Sequence, residues 1–265
     1  MDINHISMND LFNPLSSAIQ TDALFDRASF YYESCASTND LAQTYLLHAA
    51  EGTVFIADYQ YQGRGQRGSK WTSESGKNIL FSFIIYPEWL TIDGVFALNV
   101  ITSLAIYDAL VDHLPKGMAI KWPNDLYYLD KKLGGILIET NIGDGHKIKA
   151  AVIGIGLNVN QLHFESANFT SLAIHKGNSF DRALLLTHIM DAFGSYYAHL
   201  QNGINNLLWE KYVNRLYRKT GFHIFATRNG WIERCILSVN RAGELVVAGR
   251  DGTQYCYKPK EIAFI

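Results

Sequence analysis

The sequence predicts an α+β protein: a mixed β-sheet flanked by helices, followed by a small barrel-like unit of β-strands at the C-terminus. Between residues 29 and 219, short apolar segments typical of buried strands alternate with longer segments of helical periodicity. Over residues 220–265 the pattern changes to short strands separated by turns such as Asp251-Gly252. The C-terminal unit is marginal in size for folding alone, so we expect it to dock on the main domain. Residues 1–28 show only weak periodicity and are interpreted as an N-terminal tail.

The elements of both domains follow from periodicity and from turn-forming residues. The segment 95–114 is apolar on nearly every face, which predicts a core helix. The other predicted helices are 38–50, a segment containing the apolar stripe Leu186, Met190, Phe193, Tyr197 and Leu200, and 205–217. The predicted strands are 53–59, 78–86, 118–122, 126–129, 133–140 and 149–159, then 222–227, 230–238, 244–248 and 253–258.

Composition excludes several classes of protein. Hydrophobic residues make up 48% of the 265 residues and charged residues 18%, which is typical of a globular chain with a sizeable core. A net charge of −2 lacks the basic excess expected of a nucleic-acid-binding protein. Cys35, Cys235 and Cys256 are too few and too dispersed for a disulfide framework or a zinc site, and the histidines lack ligand spacing. With a polar N-terminus and no long apolar run, we expect a cytoplasmic protein with no membrane or metal site.

The stretch 63–71, GRGQRGSKW, carries the strongest local signal. Its three glycines permit close approach to a ligand, and its successive N–H groups can form an anion-binding nest. Arg64, Arg67 and Lys70 add three cations with no acid between them, and Trp71 can stack on a base or pack in the core. The alternative is a solvated surface turn. The pattern favours anion binding but matches neither a P-loop nor a dinucleotide fingerprint.

Three further segments are weaker when taken singly. In 121–125, KWPND, Asn124 and Asp125 can either contact a ligand, Mg²⁺ or a proton donor, or simply form a turn. Lys132 begins a strand whose glycine pair allows close packing, although a hairpin lysine is usually just solvated. Gly154 and Gly156 alternate along the strand 149–159, which predicts that a ligand or a tightly packed helix approaches that face.

Taken together and in order, these segments resemble those of the biotin–protein ligases. The resemblance covers about residues 30–160 and is carried by the motifs Ser37-Thr38-Asn39, 60–71, 121–126, 132–139 and 154–159. It implies a sheet like the catalytic core of class II aminoacyl-tRNA synthetases, with an SH3-like C-terminal barrel. It also implies a two-step reaction. Biotin and ATP form biotinyl-5'-AMP and pyrophosphate, and a lysine of a biotin carboxyl carrier protein then takes the biotinyl group and releases AMP.

The resemblance also implies roles for individual residues. Arg67 and Lys132 would neutralise the biotin carboxylate and the α-phosphate, and Asp125 would position or deprotonate the acceptor lysine. Mg²⁺ would accompany ATP rather than occupy a permanent protein site. The implied substrate-binding residues are Ser37, Thr38, Asn39, Gln60, Gly63, Arg64, Gly65, Gln66, Gly68, Trp71, Asn124, Gly135, Gly154 and Asn158.

One position departs from the family pattern, and two other functions compete. Members often have Arg where this chain has Gln66, so the grip on the adenylate is expected to be weaker. A lipoate–protein ligase is the nearest alternative, but its Arg-Arg-x-Ser-Gly-Gly-Gly segment is missing. A non-catalytic biotin sensor is the other alternative, and the presence of Arg67, Asp125 and Lys132 disfavours it. The tail is too short for a helix-turn-helix domain, so we expect an enzyme without a nucleic-acid partner; whether it forms a homodimer stays open.

Overall fold

The computed structural model describes residues 28–203 and 205–265, without the side chains of Arg67 and Asn205. Apart from Ala28, the predicted tail lies outside the described residues. So does the Arg67 side chain, on which one predicted catalytic role depends.

The main domain is built on a seven-stranded sheet, so the predicted mixed sheet is confirmed. Its first two strands pair in parallel and all other neighbours are antiparallel. In chain order the strands are β1 (Ser29–Cys35), β2 (Val54–Gln60), β3 (Ile79–Ile85), β4 (Met118–Lys121), β5 (Asp125–Tyr128), β6 (Lys131–Ile142) and β7 (Ile148–Leu157). Across the sheet the order is β1-β2-β3-β7-β6-β5-β4. Strand β1 was not predicted from the sequence.

Helices cover both faces of this sheet. They are α1 (Thr38–Tyr45), α2 (Phe96–Val111), α3 (Leu172–Lys176), α4 (Arg182–Gln201) and α5 (Asn205–Val213). The helices α2 and α4 pack on each other and close the main hydrophobic core on one face, whereas α1 packs on the opposite face against β2, β3 and β7. The prediction that α2 is a core helix is confirmed. The segment Ile92–Val111 is long and apolar enough to span a membrane by length and composition, contrary to the expectation from sequence, but most of it is buried within the protein.

Two predicted helices end earlier than expected, for identifiable reasons. Helix α1 stops at Tyr45, whose carbonyl accepts from both His48 N (2.9 Å) and Ala49 N (2.8 Å) in a closing turn. Helix α5 stops at Val213 because the following backbone pairs with the β4 edge: Ile120 N donates to Arg215 O, and Tyr217 N donates to Ile120 O, both at 2.8 Å. Tertiary hydrogen bonds therefore override local helix propensity at this end.

The C-terminal unit is an antiparallel sheet of five strands, in the order β11-β10-β9-β8-β12. Its strands are β8 (Phe222–Thr227), β9 (Gly230–Val239), β10 (Leu245–Ala248), β11 (Gln254–Tyr257) and β12 (Ile262–Phe264), of which only β12 was not predicted. The unit docks on the main domain, as its size requires. The indole N–H of Trp122 donates to Gly243 O (2.9 Å), that of Trp209 donates to Val239 O (2.7 Å), and a Cβ at Gly243 would lie 2.4 Å from the Phe96 ring.

Candidate active site

A cavity of about 910 Å³ opens on the face of the sheet that carries α1. The glycine-rich stretch, the turn after β4, strands β6 and β7, and the loop after β7 line it, together with Pro259 and Lys260 of the C-terminal unit. The sequence-predicted residues in this lining are Ser37, Thr38, Asn39, Gln60, Arg64, Gly65, Gln66, Trp71, Asn124, Asp125, Lys132, Gly135, Gly154 and Asn158. Gly63 and Gly68 are in the loop but not in the lining.

A chain of buried and half-buried polar side chains lies at one end of the cavity, where Thr38, Asn39 and Gln60 are in the lining. The Gln60 carbonyl oxygen accepts from Thr38 N (2.7 Å) and from Thr38 Oγ1 (3.2 Å), and Thr38 Oγ1 lies 2.7 Å from Ser82 Oγ. The Ser82 hydroxyl donates to Asn39 Oδ1 (2.6 Å), and the Asn39 amide donates to Glu139 Oε2 (2.8 Å). Because each member constrains the next, this end presents fixed hydrogen-bonding groups to a polar ligand. Ser82 and Glu139 were not predicted as site residues.

Other groups pack closely against the sheet at the two glycines of β7. A Cβ on Gly154 would lie 1.9 Å from Asn39 Oδ1, and one on Gly156 would lie 2.6 Å from the Trp71 indole. The predicted close approach is therefore confirmed, with helix α1 over one glycine and an aromatic ring over the other. Residues with side chains would push both groups away from the sheet.

An ion pair lies in the middle of the cavity. Lys132 Nζ is 2.7 Å from Asp125 Oδ1, with both side chains about three-quarters buried, and is 5.8 Å from the Trp71 ring. Gly135 leaves room for this ion pair, since a Cβ there would lie 3.2 Å from both Asp125 Oδ1 and Lys132 Nζ. The neighbouring Asn124 donates to Ile136 O (2.7 Å), so the turn after β4 is tied to β6. The arrangement places the Lys132 ammonium group beside the Trp71 ring. There it can neutralise an anionic ligand bound next to that ring.

Several buried polar atoms of the lining lack a hydrogen-bond partner among the described residues: Trp71 Nε1, Ser73 Oγ and Asn158 Oδ1. The Asn158 amide nitrogen donates to Thr170 O (3.0 Å), which directs its oxygen elsewhere. Unsatisfied buried polar atoms are rare in folded proteins and call for an explanation. A bound polar ligand would satisfy them.

One of the three cations of the glycine-rich loop, Arg64, does not have the acid-free surroundings that the sequence predicted. Arg64 bonds Glu139 Oε1 and Oε2, both at 2.9 Å, and Asp40 Oδ1 at 2.5 Å; the hydrogen bonds with Glu139 are the largest cause that raises its pKa. The loop contains no acid, as the sequence shows, but α1 and β6 supply two. The Arg64 guanidinium therefore anchors the loop instead of standing ready for an anion.

Two parts of the lining were missed by sequence reasoning. The loop after β7 contributes Phe164 and Phe169, whose rings stack 6.1 Å apart, and it joins the β6 lysine where Lys132 N donates to Asn168 O (2.8 Å). The second part is Lys260, a non-glycine residue with φ of 76°. Neither segment has a local motif, because each reaches the cavity only through tertiary pairing. The described residues contain no group of three or more His, Cys, Asp or Glu side chains placed to hold a metal ion.

Comparisons with known proteins agree with this architecture. The family model of the biotin/lipoate A/B protein ligases matches residues 31–158. The bifunctional ligase/repressor BirA of Bacillus spizizenii is 31% identical over 222 residues, which cover 79% of this chain and 66% of that protein. The chain thus spans just under two thirds of that relative's length.

Solved structures show the same fold. The biotin protein ligase of Aquifex aeolicus in complex with biotin and ATP superposes with a TM-score of 0.76 at 22% identity, covering 90% of this chain and 98% of that one. The biotin protein ligase of Leishmania major in complex with biotinyl-5-AMP has a TM-score of 0.61 at 25% identity, with 87% and 98% covered. Residues 31–158 thus form a domain that matches the biotin/lipoate A/B protein ligase family. This domain is homologous to the biotin–protein ligases.

Proposed function

We propose that this chain is an ATP-dependent biotin–protein ligase, which forms biotinyl-5'-AMP and transfers the biotinyl group to a lysine of a biotin carboxyl carrier protein. The observation that carries the proposal is one cavity holding the polar chain at one end, Lys132 at the centre, and Trp71 against the sheet. A ligand composed of a polar ring, a carboxylate and a nucleotide would find a complementary group in the cavity for each of these three parts. Homology to the biotin–protein ligases supports the same conclusion.

In the first step the biotin carboxylate oxygen attacks the α-phosphorus of ATP, and pyrophosphate leaves. Ser37, Thr38 and Gln60 would bind the ureido ring, for which they offer both donors and acceptors. Lys132 would lie between carboxylate and α-phosphate and weaken the repulsion that opposes their approach. Arg67 is assigned to the same task from the family resemblance alone.

The nucleotide would lie against Trp71, with Asn158 and Asn124 beside it and the backbone of 63–68 closing over it. The unpartnered Trp71 Nε1 and Asn158 Oδ1 support this placement. Mg²⁺ would accompany ATP, and the carboxylates of Glu74 and Glu165 in the lining offer the kind of oxygen donor that it prefers.

In the second step, Asp125 would orient the acceptor lysine and take up its proton. We assign the catalytic domain to residues 29–219 and the C-terminal SH3-like domain to residues 220–265. The thiols of Cys35, Cys235 and Cys256 are free, in keeping with a cytoplasmic enzyme.

Exchange of labelled pyrophosphate into ATP tests this function. We expect exchange that requires biotin, followed by label transfer from biotin to a carrier domain and not to a carrier whose acceptor lysine is replaced by arginine. Exchange driven by lipoate would assign the chain to the lipoate ligases instead. A chain that binds biotin without exchange would be a sensor.

A further inference from the structure

Trp122 ties the turn between β4 and β5 to the C-terminal unit. This turn brings Pro123, Asn124 and Asp125 into the cavity lining, whereas Trp122 itself is outside the lining. The Trp122 side chain is buried, and its indole N–H donates to Gly243 O (2.9 Å) in the turn between β9 and β10. A turn that lines the cavity is therefore attached to the second unit of the fold.

The carbonyl group that accepts from Trp122 is itself held in place by a closed turn. Asn240 N donates to Glu244 O (3.0 Å), and the Asn240 side chain accepts from Glu244 N (2.9 Å) and donates to Glu244 Oε2 (2.8 Å). Gly243 has a φ of 84°, and a Cβ there would lie 2.4 Å from the Phe96 ring of α2. Glycine is required at this position, because a side chain would push the turn and its carbonyl group away from α2.

A second set of contacts joins the same C-terminal turn to Pro123. The Phe96 ring, on which Gly243 packs, meets the Tyr212 ring edge-on, with the ring centroids 6.1 Å apart. Tyr212 is fully buried, and its hydroxyl donates to Pro123 O (3.4 Å). The C-terminal unit is thus connected to two consecutive residues of the β4–β5 turn, once directly and once through the core.

The position of the β4–β5 turn bears on both half-reactions of the proposed function. Asn124 is assigned to the adenylate, and Asp125 is assigned to the acceptor lysine. Misplacement of reacting groups by about 1 Å can lower a rate by about a hundredfold. Biotin binding depends on other residues, because the polar chain at the other end of the cavity shares no member with the contacts around Trp122.

We propose, on the basis of the proposed function, that Trp122 is a positioning residue: its hydrogen bond to the C-terminal unit holds Asn124 and Asp125 in place. Trp122 acts through the turn and not by touching the ligand. Without this bond the turn shifts, so adenylation and transfer both slow down while biotin still binds. The docked C-terminal unit is therefore part of the construction of the active site.

The chain contains a matched comparison for this role. Trp209 of α5 also donates its indole N–H to a carbonyl group of the C-terminal unit, Val239 O (2.7 Å), at the end of β9. Trp209 is outside the lining of the candidate active site. Loss of either bond weakens the docking of the two units, so a purely structural role predicts the same outcome for both tryptophans.

The test compares Trp122→Phe with Trp209→Phe, since each keeps an aromatic ring and loses the N–H. Adenylation is measured by pyrophosphate exchange, and transfer is measured from preformed biotinyl-5'-AMP to a carrier domain, both well below the Tm of either variant. For Trp122→Phe we expect the kcat of each half-reaction to fall about tenfold, while the biotin affinity measured by calorimetry changes less than about twofold. Trp209→Phe should lower the Tm but change both rates less than about twofold.

Equal losses of rate in the two variants, or unchanged rates in Trp122→Phe, would overturn the inference, and so would a parallel loss of biotin affinity. If Trp122→Phe does not fold, Gly243→Ala displaces the carbonyl group instead and should slow both half-reactions in the same way. Its control is Gly252→Ala, because Gly252 has a φ of 81° and an added Cβ would meet no atom of the described residues within 4 Å. The same rates in these two glycine variants would also overturn the inference. Wild-type protein that carries out neither half-reaction would refute the proposed function itself.

Discussion

The cavity has two walls that are built differently. Strands β5, β6 and β7 form one wall, where Asp125, Lys132 and Gly156 are held by backbone pairing between neighbouring strands. The stretch 63–71 forms the other, with a short internal pairing and an anchor of ion pairs made by Arg64. The difference in construction indicates that the two walls have different roles. The groups to which we assign the chemistry are on the sheet, and the groups that we expect to enclose the ligand are on a loop.

The largest expected effect is on the sheet wall, with Lys132→Ala. Removing the central cation should lower adenylate formation by about 10²–10³, because it weakens the approach of two anions. Biotin affinity should change less than about threefold, since the polar chain at the other end is untouched. Pyrophosphate exchange and calorimetry with biotin measure the two quantities. Lys131→Ala, an exposed neighbour on the same strand, is the control; equal losses of binding and exchange in Lys132→Ala would contradict the assigned role.

A smaller effect is expected where the two walls meet, with Gly156→Ala. The new Cβ would lie 2.6 Å from the Trp71 indole, so the ring must move away from the sheet. We expect the KM for ATP to rise about tenfold, which corresponds to about 1.4 kcal/mol. Gly143→Ala is the control, because its Cβ would make only an ordinary contact at 3.4 Å. An unchanged KM would show that Trp71 does not hold the nucleotide.

On the loop wall, Arg64→Gln should release the anchor at a lower cost. Exposed ion pairs contribute up to about 1 kcal/mol each, which predicts about fivefold faster tryptic cleavage after Arg67 and Lys70, the sites that the variant retains, and faster loss of biotinyl-5'-AMP. Addition of biotin and ATP should slow the cleavage. Arg250→Gln is the matched control, because Arg250 makes a comparable two-contact pair with Glu233 in the C-terminal unit. Cleavage at the wild-type rate would mean that the loop is held by other contacts.

The smallest expected effect is on the stability of the folded protein, and it concerns the residues that support the sheet wall. His175 Nε2 lies 2.6 Å from Thr170 Oγ1, and Thr170 O accepts from Asn158. Burial first, then Lys131, lowers the pKa of His175 below its ordinary value of 6.5, so the folded state favours the neutral ring. This contribution to stability is present above about pH 6.5 and is lost as the pH falls toward the lower folded pKa. The Tm should therefore fall slightly more between pH 7.5 and 5.5 in the wild type than in His175→Gln; identical slopes would contradict it.

Prediction from the sequence worked where the signal is local and failed where it is not. Buried strands such as β3 and the core helix α2 were predicted because their apolar residues recur with the period of the element itself. The edge strand β1 and the short helix α3 were missed. Strand β1 depends on pairing with β2, which is distant in sequence, whereas α3 has local caps at Ser171 and Gly177 but is only five residues long.

The same contrast between local and long-range signals holds within the candidate site. The glycines of β7 and the turn after β4 were chosen from their chemistry, and the structure brings them into one cavity. The acids that hold Arg64, the hydroxyl of Ser82 and the C-terminal residue Lys260 were not chosen. Each lies far along the chain from the group it serves, and no spacing rule links them.

By itself, the sequence determined the two-part α+β architecture, the order of the ligand-contacting motifs and the family they resemble. Only the tertiary structure decided that Arg64 is an anchor, that Lys132 pairs with Asp125, and that Pro259 and Lys260 of the C-terminal unit reach the site. The physical reason is the distance along the chain over which each kind of interaction acts. Periodicity and turn chemistry act over a few residues, whereas ion pairing and cavity shape depend on distances that exist only after the sheet has assembled.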